Sequence, residues 1–270
     1  MKILELCPFS SGGCGVFARV KEESKLLAKK GHIIKIFSSN FVKGSFEIAP
    51  EKNKIENVEI TRFPALVPGR KPLNFLPGGE SYMFWNYSKL KKEFLKFKPE
   101  IVFAHSYRQP HTTQILKLAK KINAKTFLVT HAPFARNRNS INSAVVYLYD
   151  KIIGKQILKK FTKVIAITKW EYPYLHKLGL SDKKIEYIPN GVREEFFKTK
   201  KLKEENRIIY TGRISPIKNL ETLIRAFKKL KDKGFILEIL GPAEDNYLKE
   251  LKSLTKNLGL ERKVFFENHQ

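Results

Sequence analysis

Two cations stand at the start of a predicted helix near the end of the chain. Arg213 and Lys218 lie in YTGRISPIKNLETLIRAFKKL, after a short apolar strand that ends at Gly212, and Asn219 is a favourable N-cap for the helix. A helix N-terminus carries partial positive charge and free N–H groups, so added cations there favour a bound anion. The GxxxxGK[ST] pattern is absent, so this is not an NTPase P-loop, and one Arg with one Lys matches a diphosphate better than a triphosphate with magnesium. The alternative is two solvated loop cations in a very basic protein.

A glycine-rich loop follows the first predicted strand. The stretch SSGGCGVFARV places Gly12, Gly13 and Gly15 before a helix with an apolar stripe, so the backbone can turn tightly and approach a ligand. The order GGxG differs from the GxGxxG dinucleotide motif, and no acidic residue follows the second strand. The loop therefore predicts a ligand site at a helix start, or else a plain strand-to-helix turn.

Polar residues also follow two other predicted strands. The carboxyl ends of parallel strands meet at one edge of a sheet, so side chains there would converge on one crevice. Imidazole and guanidinium groups suit contacts with anions or hydroxyls, and no third nearby residue completes a metal site. A core histidine and a surface arginine are the alternative. The candidates are His105, Tyr107, Arg108 and His111 after residues 101–104, and His131 and Arg136 after residues 126–130.

Short β-branched runs alternate with amphipathic segments along the chain, which is typical of parallel sheets wrapped by helices. The predicted class is α/β, with two domains, 1–198 and 199–270, divided by the charged, aperiodic stretch 198–206. Residues 64–79, rich in Pro and Gly, form a long loop of the kind that is often functional. The predicted strands are 3–6, 33–37, 58–63, 101–104, 126–130, 164–167, 185–188, 208–211, 235–240 and 264–266.

Composition limits the possible partners. The 270 residues include 52 Lys and Arg against 26 Asp and Glu, a net charge of +26, which predicts acidic partners unless it is lineage composition. The apolar run at the N-terminus is too short for a signal peptide, and no stretch is long enough to span a membrane, so we expect a cytoplasmic protein. Cys7 and Cys14 fit neither a zinc motif nor a redox pair, and we expect them to be buried or idle.

Six blocks of sequence resemble, in order and spacing, the signature segments of the GT-B glycosyltransferases of family 4. They run through nearly the whole chain: GGCGVF, HSYRQPHT, THAPF, VIAITKWEYPYL, IEYIPNGV and YTGRISPIKNLETLIRAF. The resemblance implies two Rossmann-like domains with parallel sheets that face a cleft. The first domain would bind mainly the acceptor, and the second a nucleotide-activated sugar, without an essential metal or other cofactor.

The resemblance also implies site residues and a reaction. The family's glycine loop falls on Gly12, Gly13 and Gly15, its cleft histidine on His131, and its diphosphate-binding pair on Arg213 and Lys218. A glycosyl group would pass, with retention, from a nucleotide sugar to a hydroxyl of a glycan or lipid-linked acceptor, in glycan biosynthesis. His131 would contact the sugar or its phosphate, and His105, Tyr107, Arg108 and His111 would line the acceptor side. No carboxylate nucleophile is evident, in agreement with front-face substitution.

The chain departs from the family pattern at its end. The family's acidic stretch, with two glutamates eight positions apart, is not reached before Gln270, while Glu186 and Glu194 have that spacing in the wrong place. Right-handed crossovers in one direction would put both helices of the second domain on one face of its sheet and leave the other face bare. We therefore expect an incomplete second domain that is inactive alone or is completed by another chain.

Functions of other classes stay open. A sugar-nucleotide epimerase or a phosphorylase would share the architecture, and a non-catalytic basic binding protein would fit an incomplete site. A nucleic-acid-binding protein would explain the charge, but no such motif is recognisable and we expect no nucleic acid. The basic amphipathic stretches 87–98 and 149–161 predict either a peripheral contact with anionic lipid on the inner face of the cell membrane or ordinary solvated faces.

Overall fold

The computed structural model describes residues 1–43, 47–68, 83–131, 146–198 and 204–267, without the side chains of residues 231 and 232. Most of the predicted loop at 64–79, Arg136 and the centre of the predicted hinge at 198–206 lie outside these ranges. The chain divides into two compact units, Met1–Val192 and Arg193–Gln270. Each unit has its own sheet and its own hydrophobic core.

An eight-stranded sheet forms the first unit, in the order β10-β9-β8-β7-β1-β2-β4-β3. The pairs are parallel except that β3 runs antiparallel to β4. All seven strands predicted for this region are present, and β3 and a small β5-β6 pair were not predicted. The strands are β1 (Lys2–Leu6), β2 (Ile33–Ser39), β3 (Lys52–Ile55), β4 (Val58–Phe63), β5 (Ala65–Leu66), β6 (Phe84–Trp85), β7 (Ile101–His105), β8 (Lys125–Val129), β9 (Lys163–Ala166) and β10 (Ile185–Tyr187).

Two apolar layers cover the sheet of the first unit, because successive strand residues point to opposite faces. Ile3 packs with Val20 in one layer, whereas Leu4 packs with Phe94 and Ile115 in the other. The unit is therefore doubly wound, as predicted. Its helices are α1 (Gly15–Lys29), α2 (Tyr87–Phe97), α3 (Pro110–Lys121), α4 (Lys155–Leu158) and α5 (Tyr172–Lys177), with a π-helical turn at Asp150–Gly154 before α4.

The second unit has three parallel strands in the order β11-β12-β13, joined by two helices. This is the predicted strand, helix, strand, helix, strand. Leu237 and Ile239 are buried against the helices. Ile209 and Phe265, on the opposite face, are 54% and 44% exposed, so the prediction of a bare face is confirmed for the described residues. The elements are β11 (Arg207–Thr211), α6 (Leu220–Phe227), β12 (Ile236–Leu240), α7 (Asp245–Asn257) and β13 (Val264–Glu267).

Cys7 and Cys14 are buried free thiols, as predicted. Within the described residues, no helix combines the length and the apolar character needed to cross a bilayer.

Candidate functional site

The glycine loop lies between β1 and α1. Gly12 has a φ of 75°, and a Cβ added there would lie 2.5 Å from the carbonyl oxygen of Lys43, so this position requires glycine. Among the residues that the structure describes, a Cβ at Gly13 or Gly15 would meet no atom within 4 Å. Cys14 is the N-cap of α1 and makes no side-chain hydrogen bond to the helix. Ligand binding at this loop stays a prediction.

Polar residues of β1, β7 and β8 come together because these three strands are neighbours. Nδ1 of His105 lies 2.7 Å from Nε2 of His131, and Nε2 of His105 lies 2.8 Å from Oε2 of Glu5. His105 is fully buried and Glu5 is 2% exposed. The predicted convergence of the two histidines is confirmed, and Glu5 is an unpredicted third member. These three residues form what we call the Glu5 relay.

Burial sets the charge of the Glu5 relay. Desolvation raises the pKa of Glu5 to about 8, against the opposing effect of Arg19. It also lowers the pKa of His105 and that of His131 to about 3. At neutral pH the relay therefore holds a protonated carboxyl and two neutral imidazoles.

An ion pair on α1 faces the Glu5 relay. Nε of Arg19 lies 2.7 Å from Oε1 of Glu23, and a terminal nitrogen of Arg19 donates to Oδ1 of Asn190 at 2.8 Å. Burial raises the pKa of Glu23, and Arg19 opposes that rise. Glu23 and Asn190 both contact the guanidinium of Arg19. The negative charge of Glu23 therefore weakens the electrostatic effect of Arg19 on Glu5.

The backbone is strained at the same sheet edge. His131, directly after β8 and Thr130, has a φ of 53°, and Ser106, directly after β7, has a φ of 89°. Left-handed backbone at a residue other than glycine costs on the order of 1–3 kcal/mol and persists where surrounding contacts hold it. Oγ1 of Thr112 supplies one such contact, donating to the carbonyl oxygen of Ser106 at 2.7 Å. His131 and Ser106 thus both have left-handed backbone at the sheet edge where the Glu5 relay lies.

Tyr107 and Arg108 contact Asp150, at the start of the π-helical turn. The Tyr107 hydroxyl donates to Oδ1 of Asp150 at 2.6 Å, and the guanidinium of Arg108 donates to both carboxylate oxygens at 2.9 and 2.6 Å. The Arg108 guanidinium also lies over the Tyr107 ring, 4.9 Å from its centroid. Both side chains thus hold the π-helical turn against the end of β7.

His111 packs inside the first unit. Its ring stacks on Trp85 at a centroid distance of 3.9 Å and is fully buried. Burial lowers its pKa to about 3, so the ring is neutral. Of the four candidates after β7, only His105 joins His131. Acceptor binding by His105, Tyr107, Arg108 or His111 stays a prediction.

In the second unit, Arg213 and Lys218 flank the loop between β11 and α6. Both side chains are exposed, and neither forms an ion pair with any residue described in the structure. The hydroxyl of Ser215, between them in sequence, is buried and has no hydrogen-bond partner in the described part of the chain. The backbone N–H of Ile214 donates to the carbonyl of Pro242 at 2.9 Å, which ties this loop to the one after β12.

The start of α6 is capped differently from the prediction. Asn219 is at the N-cap position with a φ of 50°, but its side chain accepts from the Thr222 hydroxyl at 3.0 Å and not from a backbone N–H. Leu220 N–H instead donates to the hydroxyl oxygen of Tyr247 at 3.0 Å, and that hydroxyl donates to Glu221 at 2.5 Å. The first turn thus carries a carboxylate, Glu221, and Asn219 occupies the predicted N-cap position without a side-chain bond to the backbone.

Comparison with known proteins gives the family. Residues 14–196 match the model described as Glycosyltransferase Family 4, and residues 192–270 match that of Glycosyl transferases group 1. The chain belongs to glycosyltransferase family 4. It is 30% identical over 260 residues to an uncharacterized glycosyltransferase of Methanocaldococcus jannaschii, which covers 90% of this chain and 63% of the relative. The chain therefore spans less than two thirds of that relative's length.

Solved structures show that this family 4 chain has the GT-B fold. Sucrose-phosphate synthase from Thermosynechococcus elongatus matches with a TM-score of 0.70 at 16% identity, over 100% of this chain and 70% of that one. Anabaena Alr3699/HepE, solved with UDP and glucose, matches with a TM-score of 0.68 at 17% identity, over 100% and 70%. A glycosyltransferase from Rickettsia africae gives a TM-score of 0.65 at 22% identity, over 100% and 68%.

In this family 4 chain, sequence reasoning missed Glu5, Arg19 and Asn190. The one available signal was the carboxylate in KILEL, which shares the face of Ile3 and Cys7 in an otherwise apolar strand. Over the part of the chain that the structure describes, no three His, Cys, Asp or Glu side chains are grouped so that they could hold a metal ion.

Proposed function

We propose that this chain binds a nucleotide-activated sugar and takes part in transferring its glycosyl group, with retention, to a hydroxyl of a glycan or lipid-linked acceptor. Family membership supports the reaction class. The solved relative Alr3699/HepE was obtained with UDP-glucose, which supports a nucleoside diphosphate sugar as the donor.

The observation that carries the proposal is the loop between β11 and α6. It presents two exposed cations, Arg213 and Lys218, and a buried hydroxyl, Ser215, without a described partner. A diphosphate would supply oxygens for all three donors. Glu221 lies at the same helix start but is engaged by Tyr247, which limits its repulsion of an anion.

Departure of the leaving group builds negative charge on the diphosphate. Arg213 and Lys218 would then contribute most in the transition state, because they are already placed where the charge develops. His131 would contact the sugar or its phosphate from the first unit. The reaction proposed here is a front-face substitution in which the acceptor hydroxyl replaces the diphosphate and no metal takes part.

A membrane-bound acceptor has support on the surface of the first unit. The helical residues 146–158 carry large apolar side chains that are exposed, together with Lys151 and Lys155, and Lys159 and Lys160 follow in the next turn. Such a face suits the boundary of an anionic bilayer, and we place the protein at the inner surface of the cell membrane. Helix α2 differs, because its Leu90, Phe94 and Phe97 are buried. The exposed group, which we call the apolar-basic face, comprises Tyr147, Leu148, Ile152, Ile153, Lys151, Lys155, Lys159 and Lys160.

Thermal shift against UDP-, GDP- and ADP-sugars tests donor binding, because a ligand of the native state raises the melting temperature by mass action. One nucleotide class should give a shift, and Arg213→Ala should abolish it. Arg225→Ala removes an exposed arginine from the far end of α6 and should leave the shift intact. A shift that survives Arg213→Ala would place the donor elsewhere.

Product analysis separates the remaining functions. A transferase releases nucleoside diphosphate and lengthens an acceptor, whereas an epimerase leaves a nucleotide sugar of changed configuration. A binding protein gives the thermal shift without either product. Turnover to an epimer, or binding alone with every acceptor class, would overturn the transferase proposal.

A further inference from the structure

We infer that Glu5 and His105 are positioning residues that set the tautomer of His131, and that the proton on Glu5 decides whether the outer nitrogen of His131 donates or accepts a hydrogen bond. The inference rests on the proposed function only for the statement that His131 contacts a sugar or its phosphate. The relay itself follows from two contacts, 2.8 Å from Glu5 to His105 and 2.7 Å from His105 to His131.

With both imidazoles neutral, the three groups allow two consistent arrangements of protons. With Glu5 protonated, its O–H donates to Nε2 of His105, Nδ1–H of His105 donates to Nε2 of His131, and Nδ1 of His131 carries a proton. With Glu5 ionised, Nε2–H of His105 donates to the carboxylate, and Nε2–H of His131 donates to Nδ1 of His105. Nδ1 of His131 is then a bare acceptor. The two arrangements differ by one proton in total.

Each ring nitrogen that faces another relay member is either a hydrogen-bond donor or an acceptor, and its neighbour must have the opposite role. Neither ring can therefore change tautomer alone. A change at His105 by itself would bring two N–H groups, or two lone pairs, together in one of the short contacts. The relay is also shielded from water, since Glu5 and His105 are buried and His131 is partly so. The state of Glu5 is therefore transmitted to His131 through both contacts.

The surroundings favour the protonated arrangement at neutral pH. Burial disfavours both a carboxylate and an imidazolium, and an ion pair between Glu5 and His105 would have to be desolvated on both sides. Arg19 is the cation that acts on all three members, and Glu23 neutralises part of its charge. Cys7, next along β1 on the same face, is held as a neutral thiol by burial that raises its pKa.

The consequence for the site is a hydrogen-bond donor at His131. In the described residues, Nδ1 of His131 has no hydrogen-bond partner, so this atom is available to a ligand. A donor N–H suits an oxygen of a sugar or a phosphate, and it stays neutral beside Arg19. Above the pKa of Glu5, about 8, the same atom becomes an acceptor and loses that contact.

Histidine ¹⁵N NMR of the full chain tests the inference, because it distinguishes protonated from bare ring nitrogens. At pH 6.5 the rings of both His105 and His131 should carry their proton on Nδ1, whereas a free imidazole side chain prefers Nε2–H. Raising the pH through about 8 should move both protons to Nε2 in one joint transition. Nε2–H at pH 6.5, or separate transitions in the two rings, would overturn the inference.

Glu5→Gln supplies the matched variant. The glutamine amide can donate to Nε2 of His105 as the carboxyl did but does not titrate, so the Nδ1–H tautomers should persist and the transition should vanish. A transition that persists in Glu5→Gln would count against the relay. His176, a largely exposed ring that contacts Asp182, serves as the reference signal and should not respond to the substitution.

The wild-type titration decides the question by itself if the variant does not fold. It also separates this inference from the proposed function. The expected tautomers in a chain that binds no nucleotide sugar would leave the relay standing and remove the transferase. Donor binding with the opposite tautomers would remove the relay alone.

Discussion

The carbonyl oxygen of Gly212 occupies the space that a side chain at Gly241 would need. A Cβ built on Gly241 would lie 2.3 Å from that oxygen, and Gly241 has a φ of 140°. The N–H of Gly212 donates to the carbonyl of Leu240 at 2.9 Å, so the ends of β11 and β12 are held in close contact. This contact fixes the position at which the loop that carries Arg213 begins.

Gly241→Ala should therefore displace that loop. Backbone strain alone costs about 1–3 kcal/mol, and the clash adds to it, so thermal unfolding by circular dichroism should show a less stable second unit. The thermal shift caused by a nucleotide sugar should also disappear. Gly259→Ala is the matched control, since Gly259 has a φ of 67° but open space around it. Equal effects of the two substitutions would show that the close approach does not matter.

Lys218→Met should lower kcat more than it raises KM. The lysine is expected to act on charge that develops during leaving-group departure, and removal of one such group costs about 10²–10³ in kcat. Steady-state kinetics with the donor identified by thermal shift measures the effect. Lys228→Met removes another exposed lysine of the second unit and should change neither constant. A change confined to KM in Lys218→Met would mean that the lysine binds the ground state equally well.

His111→Phe should reduce the loss of stability in acid. The folded pKa of His111 is about 3, below its usual 6.5, so between these values the unfolded chain binds a proton that the folded chain does not. This contribution is complete above pH 6.5 and is lost as the pH falls toward 3. In that pH range the variant should reduce the slope of the free energy of unfolding against pH by about 1.4 kcal/mol per pH unit. Urea unfolding at several pH values measures it.

An unaltered slope in His111→Phe would mean that His111 is protonated in the folded protein. Phenylalanine keeps the stacking on Trp85, so the packing of this region should be preserved.

Asp150→Ala should destabilise the first unit by about 3–5 kcal/mol, because Arg108, whose side chain is only 11% exposed, loses the carboxylate that it donates to. Trp85 and Trp170 are the two tryptophans and both lie in the first unit, so their fluorescence during urea unfolding reports on that unit alone. Glu186→Ala breaks the exposed pair with Lys163 and should cost under about 1 kcal/mol. Similar costs would argue that Asp150 is not a structural partner.

Ile152→Asp should abolish flotation with anionic vesicles by placing a charge on the apolar-basic face. Ile152 is 60% exposed there, and an aspartate both removes apolar contact and repels the lipid. Ile48→Asp makes the same change at another exposed isoleucine and should leave flotation unaffected. Equal loss in both variants, or no binding by the wild type at low salt, would remove the membrane contact.

Local patterns were sufficient for the ten strands that were predicted and for the meeting of His105 with His131. The carboxyl ends of β1, β7 and β8 had to converge once the sheet was doubly wound. Strand β3, KNKI, has little strand propensity and forms because it pairs with β4, which is a tertiary effect. That explains why β3 was missed.

Long-range partners account for what the sequence did not reveal in the site. Glu5 is a carboxylate in a buried strand, and its partner, His105, lies one hundred residues away in the sequence. Arg108 was indistinguishable from a ligand-binding cation, because its partner Asp150 follows 42 residues later and no local pattern links the two residues. Asn219 has good capping propensity, but the N–H of Leu220 at the helix start donates to the hydroxyl of Tyr247 instead. In each case the hydrogen-bond partner is distant in sequence and is brought near only by the fold.

The hydroxyl of Tyr247 links the loop between β11 and α6 to α7, the helix that follows the next strand. Since Leu220 N–H donates to this residue of α7, unfolding of α7 alone would release the first amide of α6. An anion bound at this loop would consequently oppose fraying of α7. If the proposed donor binds there, its affinity and the local order of α7 would be two measures of one equilibrium.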